Sequence, residues 1–188
     1  MLDQHFSKKK YVLIYAYDIN FNIQQQKQYV LLVHKNRPAW QAGCYNLLGG
    51  KIEPNETPYQ AAIRELKEES GLDPVNTDSL PESTEPAGMV INPYSLIYCF
   101  SIPVDHRQPI CPRAVETESV QWHCWQEIQH SKLLMPNLRI IVPLMIANIA
   151  NWYIHGKEIY PQIYDVNIRL FLNNPVQCKY ENYYYDTI

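Results

Sequence analysis

The sequence predicts a fold that mixes helices and strands, α/β or α+β rather than all-α or all-β. Three observations carry that reading. Runs rich in β-branched and aromatic residues stand both before and after a strongly signalled helix. The chain has 188 residues, 46% of them apolar. That suits a single domain burying roughly 70% of its unfolded surface without disulfides or metal. No internal repeat or low-complexity linker divides it.

The elements follow in order. Residues 1–10 are polar and read as a loose segment. Tyr11–Ile19 and Tyr29–His34 read as strands, joined by the polar loop Asn20–Gln28. Lys35–Tyr45 carries Pro38 and Gly43 and breaks regular structure. Thr57–Ser70 reads as a helix. Thr57 is a good N-cap, Pro58 suits the first helical position, Gln60 completes a capping box, and Gly71 is a natural stop. Tyr59, Ala62, Ile63 and Leu66 share its core face. Leu72–Gly88 is a proline- and acid-rich loop. Ser95–Ile102 and Glu118–Trp125 read as strands, and Leu138–Trp152 as an apolar helix with a kink expected at Pro143.

Composition excludes some functions. A net charge of −3 against 16 basic side chains argues against nucleic acid as the main partner. Lys8–Lys10 followed by Tyr11–Tyr17 resembles a signal peptide faintly. However, Asp18 ends the apolar stretch and no cleavage site follows, so a strand is favoured. The apolar run at Ile140–Ala147 is far short of the ~20 residues a membrane span needs. The five cysteines show neither C-x-x-C nor zinc spacing, which points to reduced thiols in the cytoplasm.

The chemistry concentrates on the capped helix. Glu65, Glu68 and Glu69 stand at i, i+3 and i+4 and span about 100° of the surface, opposite the apolar face. Each like-charged i,i+4 pair costs about 0.2–0.5 kcal/mol. The helix C-terminus disfavours anions by about 0.3–1 kcal/mol. A divalent cation reverses both penalties, and hard oxygen donors suit Mg²⁺ or Mn²⁺. The alternative is a solvated acidic face with Arg64 and Lys67 as partners. Gly49 and Gly50, one loop earlier, allow close backbone approach and could offer a free carbonyl as a further ligand. Glu56 is placed to brace that loop against the helix through Arg64.

Together these residues form a longer pattern. Gly50, five residues, Glu56, seven residues, then Arg64-Glu65-Leu66-Lys67-Glu68-Glu69-Ser70-Gly71-Leu72 resembles the Nudix box, G-x5-E-x7-R-E-U-x-E-E-x-G-U, at every fixed position. A looser likeness runs from Tyr11 to Trp152. The resemblance implies a Nudix-type α/β/α sandwich over residues 11–152; residues 153–188 fall outside it and are expected to form a C-terminal extension packed on the same domain. It implies metal-dependent hydrolysis of a pyrophosphate bond in a nucleoside diphosphate derivative. Mg²⁺ or Mn²⁺ is the implied cofactor. Glu65, Glu68, Glu69 and the Gly49 carbonyl are the implied ligands, and Glu65 the implied base. Arg64 and Glu56 brace the box. The family often adds a later glutamate; Glu116 and Glu118 are the candidates. Lys51 could meet a phosphate or be an exposed strand lysine. Many members have proline before the two glycines; here Leu48 stands there.

The stretch Gly49–Ala61 resembles MutT-type members, which act on nucleoside triphosphates. Such members read the base with an asparagine at the start of the second helix. Asn137 holds that position, with a helix cap as the alternative role. Trp40, Tyr45, Tyr94 and Trp122 could stack on a base or belong to the core. Alternative readings are an ADP-ribose or nucleotide-sugar pyrophosphatase, and a Nudix module that senses a nucleotide without turnover. The expected partner is a small nucleotide, with no nucleic acid and no membrane. The resemblance leaves a homodimer open. Tyr183–Tyr185 lack the basic groove of a nucleic-acid platform, being flanked by Glu181 and Asp186.

Overall fold

The computed structural model describes residues 8–18, 27–75, 85–91, 94–112 and 117–155. Strand β1 is Lys9–Asp18, β2 Tyr29–His34 and β3 Tyr45–Leu47. Helix α1 is Pro58–Ser70, followed by β4 (Gly88–Ile91), β5 (Ser95–Val104) and β6 (Ser119–Cys124). Helix α2 is Trp125–Ile128 and α3 is Leu138–His155. The C-terminal extension from residue 156, with its tyrosines, and Glu116 lie outside the described residues. Among the described residues, no helix is long and apolar enough to cross a membrane.

The strands form one mixed sheet, ordered β3-β2-β1-β5-β4, with β6 pairing β2. The β1–β5 pair is parallel over its whole length, from Lys9 opposite Ser95 to Asp18 opposite Val104. A parallel pair is covered on both faces, so β1 is apolar on both sides rather than alternating. Val12, Ile14 and Ala16 point into one core, where Ala61, Ala62 and Leu66 of α1 meet them. Leu13, Tyr15 and Tyr17 point into the other, against Leu138, Ile141, Val142 and Met145 of α3. Strand β2 divides likewise, Leu31 and Val33 toward α1, Val30 and Leu32 toward α3. The result is the expected α/β/α sandwich. Each fully buried leucine or isoleucine stabilises it by about 1.5–3 kcal/mol.

One departure from a regular sheet positions the site. Strands β1 and β2 pair through Tyr17 and Val30. Beyond that pair, residues 45–51 pass from one strand to the other. Leu47 pairs with Leu32 of β2, then Leu48 bridges Ile14 and Lys51 bridges Tyr11, both on β1. Val12 N–H donates to the Gly50 carbonyl at 2.9 Å and Ile14 N–H to the Leu48 carbonyl at 2.8 Å. The double glycine therefore sits on the sheet itself, directly under α1.

The sequence reading of the two ends of α1 holds. Thr57 accepts from Gln60 N–H, the Gln60 side chain accepts from Thr57 N–H, and Gly71 ends the helix in the left-handed region. Two other expectations are revised. The short strands β3 and β4 and the single-turn α2 are too brief to leave a periodic signal. Helix α3 continues through Pro143 and past Trp152 to His155.

Candidate active site around the double glycine

The last two turns of α1 lie over Gly49 and Gly50. Gly49 N–H donates to Glu69 Oε2 at 2.8 Å. The Glu65 carboxylate rests on Gly50, where a Cβ would overlap its atoms. Gly49 has φ +142°, and a Cβ on it would overlap the Val12 carbonyl oxygen. Gly49 is required by geometry, since its neighbour is backbone, whereas a side chain at Gly50 would push the Glu65 carboxylate off its seat. The carbonyls on either side, those of Leu48 and Gly50, are bonded to β1, while that of Gly49 accepts no hydrogen bond from the described residues.

The sequence placed all three glutamates opposite the apolar face of α1. The structure corrects this. Glu69 is buried, 8% exposed, because it follows Ala62 by two turns and so shares its face. Burial pushes its carboxyl up to about 7; the Glu65 and Glu118 charges add to that, against the Gly49 hydrogen bond and the Lys35 ammonium. Burial likewise raises Glu65, although Arg64 opposes it. A carboxylate held in a buried position with a raised pKa is a strained anion that a divalent cation would relieve.

Arg64 is the brace. Its Nε donates to Glu56 Oε2 at 3.1 Å, and one terminal nitrogen donates to Glu56 Oε1 at 2.8 Å and to the Lys51 carbonyl at 3.0 Å. The other terminal nitrogen donates to Glu65 Oε1 at 2.8 Å and Glu68 Oε2 at 3.1 Å. Arg64 thus ties the loop after the glycines to the helix and aligns two box carboxylates. The Lys51 side chain is exposed.

Glu118 joins the group from the far side. It is buried just before β6, opposite the end of β2. Its Oε1 accepts from Asn36 N–H at 2.7 Å and Arg37 N–H at 3.1 Å. Its Oε2 meets Lys35 Nζ at 2.5 Å, and the same ammonium lies 3.8 Å from Glu69 Oε1. Burial raises the Glu118 pKa, yet these hydrogen bonds together outweigh it and hold the carboxyl below its ordinary value. Lys35 is the site residue that sequence reasoning missed. Its only signal is a charge ending an apolar strand, and it lies outside the box.

The donor set suits a hard divalent cation: carboxylate oxygens of Glu65, Glu68, Glu69 and Glu118 and an unpaired glycine carbonyl. They do not converge as a tight cluster, however. Arg64 and Lys35 stand among them. Among the described residues, three His, Asp or Glu donor atoms lie within 4.8 Å of one another only at Asp18, Asp105 and His106. That corner is at the opposite end of β1 and its oxygens are engaged. Asp18 Oδ2 meets His106 Nδ1 at 2.7 Å, and Asp105 is held by Arg107.

Asn137 stands just before α3. Its side-chain Oδ1 is buried with no hydrogen-bond partner among the described residues, so it does not cap the helix; Ile140 and Ile141 N–H reach its backbone carbonyl instead. Tyr45 packs between His34, ring centroids 5.0 Å apart, and His123, 4.7 Å. Trp122 is partly buried against the α1-side core, whereas Trp40 and Tyr94 are exposed.

Known proteins resemble the chain in sequence and in shape. Over 44 residues it is 43% identical to a CTP pyrophosphohydrolase of Escherichia coli (strain K12), covering 23% of this chain and 33% of that one. Over 52 residues it is 42% identical to an ADP-ribose pyrophosphatase of Methanocaldococcus jannaschii, covering 28% and 30%. The matched stretches thus span about a third of those relatives' lengths. A NUDIX family hydrolase structure from Clostridium perfringens superposes with a TM-score of 0.56 at 19% identity, over 75% of this chain and 98% of that one. The NUDIX domain of Shewanella oneidensis NrtR, complexed with ADP ribose, superposes with a TM-score of 0.55 at 17% identity, over 76% and 89%. The family model described as NUDIX domain matches residues 18–145, more than half of the chain. With the box seated on its double glycine inside an α/β/α sandwich, the chain belongs to the Nudix family.

Proposed function

We propose that the chain hydrolyses a pyrophosphate bond in a nucleoside diphosphate derivative, with Mg²⁺ or Mn²⁺ as cofactor. The observation that carries the reading is the seating of Glu65 and Glu69 on Gly50 and Gly49, beside an unpaired Gly49 carbonyl. Glu65, Glu68, Glu69, Glu118 and the Gly49 carbonyl would hold the cation. The cation would neutralise phosphate charge and make water a better nucleophile.

The chain's own groups do the rest. Arg64, locked by Glu56, fixes the angle of Glu65 and Glu68. Glu65 is the proposed base. Its Oε2 accepts no hydrogen bond from the described residues, and its raised pKa suits it to take a proton from water. Lys51, exposed beside the loop, is the proposed phosphate contact. The likeness of Gly49–Ala61 to MutT-type members supports a nucleoside triphosphate cut to monophosphate and pyrophosphate as the substrate, with Asn137 the proposed reader of the base edge.

A substrate panel tests this. Nucleoside triphosphates, ADP-ribose, nucleotide sugars and dinucleoside polyphosphates would be offered with each metal, and products identified by mass. Monophosphate plus pyrophosphate from one triphosphate, abolished in Glu69→Gln, is the expected result. Turnover of ADP-ribose or a nucleotide sugar instead keeps the reaction and replaces the substrate. Tight nucleotide binding with no turnover would replace catalysis by sensing.

A further inference from the structure

Lys35 is fixed at its backbone, and its side chain is mostly withdrawn from water. Its backbone is fixed on both sides. Its N–H donates to the Cys44 carbonyl at 2.8 Å, and its own carbonyl accepts from Gly43 N–H at 2.8 Å. Its side chain is only 14% exposed. The ammonium lies between two carboxylates that come from distant segments, Glu69 on α1 and Glu118 before β6. The outward oxygen of each is already used: Glu69 Oε2 by Gly49 N–H, Glu118 Oε1 by the Asn36 and Arg37 amides. The two oxygens that remain, Glu69 Oε1 and Glu118 Oε2, both face Lys35.

We propose that Lys35 is a resident cation that occupies the Glu69–Glu118 gap before the divalent ion and competes with it for the same two oxygens. It thereby offsets the repulsion between the carboxylates and holds them in place, and it sets the metal affinity. The inference rests on the reading of Glu69 and Glu118 as metal ligands. Charge gives its logic. A single positive charge balances only one of the two carboxylates, whereas a divalent ion balances both, so exchange is favourable but opposed by the bond it breaks. Arg64 cannot play this part, since its guanidinium is committed to Glu56 and is more exposed. Lys35 is a positioning residue: it acts on the site through Glu69 and Glu118.

Direct Mn²⁺ binding by the full chain tests this without substrate or turnover. Wild type, Lys35→Met and Lys35→Arg would be titrated at pH 8 by calorimetry, with folding checked by circular dichroism. Removing the ammonium is expected to tighten Mn²⁺ binding by about five- to tenfold, the worth of one partly screened charge. Lys35→Arg keeps the charge and is expected to stay near wild type. Equal or weaker Mn²⁺ binding in folded Lys35→Met overturns the inference while leaving the metal site intact. Wild type that binds no Mn²⁺ overturns the metal reading beneath it as well. A second measurement needs no variant. Reductive methylation of wild type, read by mass spectrometry, is expected to label Lys35 faster with Mg²⁺ than without. A rate indifferent to Mg²⁺ counts against displacement of the ammonium.

Discussion

Glu69 is the residue on which structure and chemistry conflict most directly. It gives up water to sit beneath α1, and its carboxyl reaches about 7 where 4.5 is ordinary. Between those values the folded chain holds a proton that the unfolded chain releases. Stability therefore falls as pH rises through that window and levels off above about 7. Glu65, also raised by burial, adds in the same direction. Thermal unfolding of the metal-free chain from pH 5 to 8 should show this decline, and Glu69→Gln should flatten it. A wild-type midpoint that rises steadily over the same range would contradict the assignment. The three box glutamates were legible from spacing alone. Their burial was not, because an i, i+3, i+4 count shows which residues share a stripe but not which edge of the stripe meets the sheet.

At the scale of elements, α1 and the segment under it work as one piece. Gly50→Ala places a methyl group against the Glu65 carboxylate. The carboxylate ends a flexible side chain and can move aside, so we expect a stability loss of at most about 1 kcal/mol with turnover lost out of proportion, read by urea unfolding beside an activity assay. Thr57→Ala is the contrasting case. It removes one half of the capping box, about two helical turns before Glu65, and leaves the Glu56–Arg64 pair in place. It should cost about 1 kcal/mol and lower the melting temperature by roughly 2–4 °C while leaving kcat unchanged. The capped helix and the longer strands β1, β2 and β5 were readable because each contains its own signal. Strand β3 was not, since its three residues owe their conformation to the strands on either side. The pairing of Lys35 with Glu118 escaped for a related reason. They are 83 positions apart in the chain, Glu118 minus Lys35, and only the β2–β6 register brings them together.

For the whole molecule, binding and folding are linked. If the carboxylates assemble into a metal site only in the native chain, the ion stabilises that state. At a hundredfold excess over its Kd the gain is about 2.7 kcal/mol. Mn²⁺ should thus raise the melting temperature by roughly 5–10 °C, and Glu69→Gln should lose most of that shift in the same calorimetric scan. The mixing of strands and helices was legible from their order, and the sandwich from the resemblance carried by the box, but the passage of residues 45–51 between β1 and β2 was not, because nothing local marks it. That passage has a kinetic meaning. The Val12 and Ile14 amides bond to the carbonyls on either side of Gly49, on buried residues of the central strand. Their hydrogen exchange should be among the slowest in the chain, as slow as global unfolding allows. The backbone that seats the carboxylates would then have no breathing motion of its own: it would come apart when the protein does, and not before.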